Sequence, residues 1–277
     1  EKEIALEDYQ QNYLGSIVDD PGWTGNTASC YAGNILESTN EKVLQRINYF
    51  RRLVGLNDNI TLDNNNQIYM EAALICSANM SLSHYPPTNW LCWSQNAYNG
   101  CNSSNLGLGS HSSYSITGMI RDDGVNNYSV GHRRWILDSE KLKFSYGSTN
   151  NSMSLGCVGN HFDGNTEFPQ FIAYPPNGYI PQELVFNRWS FSIPNENNPN
   201  FSADFSNAQI NMSGPDGNVS INIVSRTDNG YGDNTIVWEP ENILTSSNED
   251  VEYSVTVSDI ENISVDTYSY TVKIFKP

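Results

Sequence analysis

Over its last third the chain alternates apolar with polar residues in six separate runs, and nothing with a helical period interrupts them. The runs are Trp189–Ile193, Ala208–Met212, Val219–Val224, Thr235–Trp238, Val251–Val257 and Tyr268–Phe275. Successive side chains on a strand point to opposite faces, so each run has one face to bury, and the turn formers between runs fold the chain back on itself. That pattern predicts an antiparallel sandwich.

Upstream the period is that of helices. Ser38-Thr39-Asn40-Glu41 has the form of a capping box opening a segment whose Val43, Ile47, Phe50 and Val54 share one face, with Gly55 as C-terminal cap. A second helix is predicted from about Gln67 to Met80, with Ile68, Ala72 and Ile75 on one stripe and Tyr69, Ala73 and Cys76 beside it. Pro86 and Pro87 forbid its continuation, which leaves His84 just past its end. A shorter helix starts after Ser112 or Ser113, carries Ile116, Met119 and Ile120, and stops at Asp122-Asp123-Gly124; another turn or helix begins near His132. From Phe144 onwards short strands such as Ser154–Val158 and Phe171–Tyr174 lie between Gly, Asn and Pro turns.

The expected organisation is α+β: an extended arm over residues 1–37 lying on the first domain, a layered domain over 38–175, and a β-sandwich over 176–277. Pro175-Pro176-Asn177-Gly178 marks the boundary, and 277 residues suit two domains.

Charge narrows the function classes. Fourteen Lys and Arg against 31 Asp and Glu give a net charge of −17, which repels phosphate backbones and anionic lipid and excludes nucleic acid as the expected partner. The basic residues bunch at Arg46, Arg51, Arg52 and at Arg121, Arg133, Arg134 in helical segments, where they read as structural cations or solvated faces. No apolar run approaches the ~18–20 residues that cross a bilayer, so no transmembrane segment is expected. Glu1 opens a polar stretch without a signal-peptide core, and any export leader is expected to have been removed. Abundant Asn, Ser, Thr and Tyr with little Lys point to an extracellular or cell-surface protein. In so Asn-rich a chain, most Asn-X-Ser/Thr triplets, such as Asn59-Ile60-Thr61, arise by chance.

Five cysteines leave at least one unpaired. Cys76 reads as the odd one, a small hydrophobe on a buried helix face. Cys30, Cys92, Cys101 and Cys157 remain, with three connectivities that spacing does not decide.

Four segments together carry a resemblance: Arg46-Ile-Asn-Tyr-Phe-Arg-Arg-Leu-Val-Gly-Leu, Leu82-Ser-His-Tyr-Pro-Pro, Ser104-Asn-Leu-Gly-Leu-Gly and Val130-Gly-His-Arg-Arg-Trp-Ile-Leu. In order and spacing they resemble the CAP superfamily (SCP-like; cysteine-rich secretory proteins, antigen 5 and pathogenesis-related proteins) over roughly residues 38–175. Trp23-Thr-Gly with Cys30, Trp90-Leu-Cys and Arg188-Trp-Ser-Phe-Ser-Ile are similar to a large secreted bacterial subgroup with N- and C-terminal additions. The resemblance implies a three-layer α-β-α sandwich, followed here by an Ig-like β-sandwich. It implies a cleft lined by two His and two acidic residues, the His pair able to hold a divalent metal such as Zn²⁺. His84 and His132 match the two cleft His. The family's Gly-Glu-Asn-Leu stands here as Ser103-Ser104-Asn105-Leu106, so Ser104 replaces a carboxylate, and the second acidic position falls near Asp122. The subgroup also implies a Cys30–Cys92 disulfide, with Cys76 reduced and Cys101 and Cys157 paired or free.

Two neutral imidazoles hold Zn²⁺ at ~2.0–2.1 Å but bind weakly alone. A hydrolytic site takes three protein ligands and a water, and the nearby third candidates are Asp122, Asp123 and His111. His111 and His161 read as exposed loop histidines, Asp122-Asp123-Gly124 as a turn first and an acid second, and Ser104 as a loop hydroxyl without a nucleophile elbow. Trp90, Trp93, Tyr85 and Tyr98 crowd one loop region and either stack on a flat ligand or pack the loop. Arg133-Arg134-Trp135 reads as a buried ion-pair anchor. The expected function is an extracellular binding module whose partner is a protein, glycan or small molecule. Its alternatives are a metal-dependent peptidase or cell-wall hydrolase using His84, His132 and Asp122, and an adhesion protein acting through the sandwich.

Overall fold

Small residues decide where the helices of the first half sit. The computed structural model describes residues 1–63, 66–159, 168–194, 202–226 and 230–277. Strands β1 (Thr61–Asp63), β2 (Ser104–Leu108), β3 (Lys143–Ser148) and β4 (Ser152–Gly156) form one sheet in the order β1-β3-β4-β2. On one face Gly147, Gly156, Ser152 and Ser154 leave room for helix α3 (Gln67–Asn79) to approach with its backbone. A Cβ at Gly147 would lie 2.2 Å from the Tyr69 carbonyl carbon, and Ser152 Oγ donates to Ala73 O at 2.5 Å. Helix α4 (Gln95–Asn102) covers the outer side of α3, where a Cβ at Gly100 would meet Ile68 O at 2.4 Å. Buried on both sides, α3 is apolar nearly all round. Met153 on the opposite sheet face packs near Met119 of helix α5 (Ser112–Arg121), against which helix α2 (Glu37–Leu53) lies.

Local signals behave unevenly. Gly55 caps α2 as predicted, at φ +80, with Gly55 N donating to Arg52 O and Leu56 N to Arg51 O, both at 2.9 Å. The predicted capping box is not formed. The helix starts at Glu37, and Thr39 Oγ1 instead donates to Pro21 O at 3.1 Å, pinning the arm. The arm itself is helical rather than extended at its start: α1 (Lys2–Asp8) runs into a π turn at Tyr9–Tyr13 and a 3-10 turn at Leu14–Ser16. Its inward face runs through half-buried Ala5 and Leu6 to Tyr9 and Tyr13. These rings stack at 5.2 Å, and Tyr13 reaches Tyr49 and Phe50 of α2 at 5.4 and 6.0 Å.

The six alternating runs all become strands. Among the described residues the second half contains β5 (Ile172–Tyr174), β6 (Gly178–Pro181), β7 (Trp189–Ser192), β8 (Gln209–Gly214), β9 (Gly217–Asn218), β10 (Ile221–Ser225), β11 (Thr235–Pro240), β12 (Val251–Ser258) and β13 (Tyr268–Phe275). They form sheets β10-β11-β7-β5 and β6-β13-β12-β8-β9, antiparallel except for β6 beside β13. The sheets face each other in a sandwich-like arrangement, with Trp189 against Tyr253 and Phe191 against Tyr270 at 6.2 Å each. The Phe171–Tyr174 run, assigned from sequence to the first domain, contributes β5 to the sandwich because its register pairs Ile172 with Ser192 and Tyr174 with Ser190.

One continuous apolar core runs through both halves, and buried cations stitch them together. Helix α6 (Gly131–Ile136) carries Arg133, whose guanidinium donates to Ile120 O (2.6 Å), Arg188 O (3.0 Å) and Ser190 Oγ (3.0 Å). Within the anchor predicted as an ion pair, Arg133 is thus held by carbonyls and a hydroxyl. Burial pushes this guanidinium down to about 10, against nearby Tyr174 and Asp122, which favour its charge. Next to it, Arg134 Nη2 donates to Tyr231 O at 2.7 Å, and Ser139 Oγ to Asp233 Oδ1 at 2.7 Å.

Candidate functional site

His84 and His132 line one cleft of about 360 Å³ with Ser104, Asn105, Trp135 and Tyr231 among its walls. Each histidine arrives by a different local device. Past the end of α3, Met80 turns the chain in the left-handed region (φ 47), and four residues later His84 Nδ1 sits 2.8 Å from Cys101 O. A carbonyl only accepts, so Nδ1 carries the proton and Nε2 keeps its lone pair.

His132 is the second residue of α6. Val130 before it is buried and held at φ 47, ψ 47, a conformation costing a β-branched residue ~1–3 kcal/mol and tolerated only where surrounding contacts impose it. Asp122, also left-handed at φ 53, ends α5 and aims its carboxylate at the start of α6. Oδ1 accepts from His132 Nδ1 at 2.7 Å, while Oδ2 accepts from the backbone N–H groups of His132 (2.8 Å) and Arg133 (3.2 Å). In the neutral ring Asp122 therefore fixes the His132 tautomer with the proton on Nδ1, and Asn105 Nδ2 donating to His132 O at 3.2 Å steadies the same turn.

The electrostatics follow from that placement. Burial disfavours the charged ring, but the hydrogen bond to Asp122 and its negative charge outweigh burial, so His132 titrates above the ordinary imidazole value. The ring is 28% exposed and the Asp122 side chain 0%. Asp122, expected from sequence to line the cleft, is not among its walls: its carboxylate oxygens accept from His132 and Arg133.

Ser104 is not a loop hydroxyl. It lies buried in β2, donating to Gly100 O at 2.5 Å and accepting from Ser154 Oγ at 2.8 Å. Those bonds direct its hydroxyl into the α4 turn. His111 sits at the start of α5, its Nδ1 3.0 Å from Ser112 Oγ, and is not among the cleft walls. Asp123 is exposed, 3.8 Å from Arg121. His161 lies outside the described residues. The aromatic group divides: Tyr85 borders the cleft, Tyr98 belongs to α4, and Trp90 and Trp93 line a separate hollow of about 670 Å³ beside Cys92. That larger hollow holds the carboxylate of Glu71, already taken by Ser94 Oγ (2.5 Å) and Asn96 Nδ2 (3.3 Å). Two imidazoles whose Nδ1 atoms are engaged, leaving Nε2 to a ligand, make the smaller cleft the better site.

Sequence reasoning missed Tyr231, which the second half contributes. It stacks on Trp135 at 4.8 Å with Arg134 4.5 Å from its ring, and a Cβ at Gly131 would lie 2.6 Å from its hydroxyl. Gly230-Tyr231-Gly232-Asp233 reads only as a turn, and no periodicity reveals what it docks on. Cys30 and Cys92 form the disulfide that the resemblance implied, while Cys76, Cys101 and Cys157 are free and buried. Among the described residues no group of three or more His, Cys, Asp and Glu is placed to hold a metal ion, and no helix is long and apolar enough to cross a membrane. No protein-family model and no curated protein matches the chain.

Proposed function

We propose that this chain is an extracellular binding protein of the CAP (SCP-like) kind whose cleft holds a divalent metal, such as Zn²⁺, weakly on His84 and His132. The observation that carries this reading is the matched second shell: each Nδ1 is tied to an acceptor, leaving each Nε2 with a lone pair. Helices on both faces of a four-stranded sheet support the CAP-type three-layer reading. Facing four- and five-stranded sheets support the Ig-like one. The Cys30–Cys92 disulfide is compatible with an oxidising, extracellular location. A metal bound there would supply a Lewis-acidic centre for a carbonyl or carboxylate oxygen of the ligand.

Binding is favoured over hydrolysis because Asp122, the candidate general base or third ligand, is buried and occupied, and Ser104 is bonded away from both imidazoles. Zinc titration by calorimetry at about pH 7.5 and about pH 5.5, with His132→Ala as control, tests the site, because protons compete with the metal for the imidazole nitrogens. Binding that weakens in acid and vanishes in the variant is expected. Equal binding by the variant removes the His pair from the account. Turnover in a metal-supplemented peptide and glycan screen that is lost in both His84→Ala and His132→Ala would establish the hydrolase instead.

A further inference from the structure

We infer that Cys76 and Cys101 are a second disulfide site, closed by oxidation during folding and joining α3 to α4 beside the carbonyl that orients His84. Cys76 stands one turn after Ala72 on α3, and side chains on a helix lean toward its N-terminus, which directs the Cys76 thiol toward the Ala72 turn. Cys101 Sγ reaches the same turn, 3.9 Å from Ala72 O. Both cysteines belong to one buried cluster in which α3 packs on α4. Gly100 permits this approach, since any Cβ there would strike Ile68 O. Cys157 is turned elsewhere: its Sγ faces Ser103 O at 3.9 Å and Asn105 Oδ1 at 3.7 Å. The partner of Cys101 is therefore Cys76, which the sequence had singled out as the reduced residue.

Oxidation breaks two S–H bonds and forms one S–S bond. Two electrons and two protons pass to a disulfide of the folding machinery or of glutathione, which is reduced to two thiols. Cys76 and Cys101 are both 0% exposed within a cluster of Ala72, Ile75, Ala97 and Leu106, so an oxidant reaches them only before α4 docks or when it opens. The closed bond would tether the helix preceding His84 to the helix whose last turn holds its ring.

The full chain, refolded from the reduced state in a glutathione redox buffer, is denatured, alkylated and digested without reduction. The expected map joins the Cys76 and Cys101 peptides, retains Cys30–Cys92 and alkylates Cys157. Alkylation of both Cys76 and Cys101, or a Cys101–Cys157 peptide, overturns the assignment. A second arm adds oxidised glutathione only after the reduced chain has folded, and bond formation at least ~10-fold slower than during refolding is expected from burial. An equal rate overturns the requirement for closure during folding.

Discussion

The first sheet and the sandwich bury their faces by opposite means. In the first, Gly147, Ser152, Ser154 and Gly156 let α3 lie almost on the strand backbone, and charged groups such as Arg46, Arg51 and Arg133 are buried among carbonyls and hydroxyls. In the second, Trp189, Trp238, Phe191 and Phe205 fill the space between sheets. Small faces bring helix ends and loops close together, and His84 and His132 line one cleft from such ends. The large-residue sandwich fills its own interior and acts as a buttress, sending Arg188, Tyr231 and Asp233 back against the first half.

The largest test attacks the buttress. Trp189→Ala removes an indole with 0% exposure and should cost ~3–5 kcal/mol in urea denaturation. Because the core and the Arg133 bonds cross between halves, loss of structure should remain a single transition. Two separated transitions, or release of an intact fragment by proteolysis near Pro175–Gly178, would break the idea that the halves act as one unit.

The corresponding test in the first half adds atoms. Gly147→Ala places a Cβ 2.2 Å from α3 backbone that cannot swing aside, and should cost ~1–3 kcal/mol by the same measurement. A neutral result would show that α3 is not held by close approach.

What was legible in the sequence follows the same divide. Strands of the sandwich announce themselves because large residues alternate, and α2, α3, α5 and α6 because a face or a stop signal repeats. Helix α4 was missed: Gln95–Asn102 is barely two turns long and its buried face is made of the small Ala97, Gly100 and Cys101, so the plainest local signal is Ser94, whose Oγ accepts from Ala97 N at 2.9 Å. At the site, both histidines were legible through motif order. The role of Asp122 was half legible, since the helix stop there was predicted, but its carboxylate bonds depend on how α5 meets α6. Tyr231 was not legible at all, because contact between residues almost a hundred positions apart leaves no local pattern.

A smaller effect separates the two histidines. Asp122→Asn keeps the volume but offers one acceptor oxygen where the carboxylate offers two, so either the ring or the α6 N–H groups lose a partner. Zinc affinity should fall ~10–100-fold, as for loss of other second-shell partners. An unchanged affinity would mean that Asp122 serves the helix alone and leaves His132 orientation to packing.

The smallest effect is on the stability of the metal-free protein. His132 is raised in the folded chain, while in the unfolded chain it returns to the ordinary ~6.5. Protons are then bound more tightly by the folded state, so this contribution is fully present below ~6.5 and is lost as pH rises through the raised folded value. The ring is 28% exposed, and solvent screening keeps the gain small. Urea midpoints of wild type should therefore fall more than those of Asp122→Asn between about pH 6 and about pH 8. With zinc present the wild-type slope should reverse, since a metal takes the unprotonated Nε2 and stabilises the folded state as protons leave. Parallel apo profiles would dissolve the His132–Asp122 dyad as an electrostatic unit. A zinc profile unchanged from the apo one would take the metal out of the cleft.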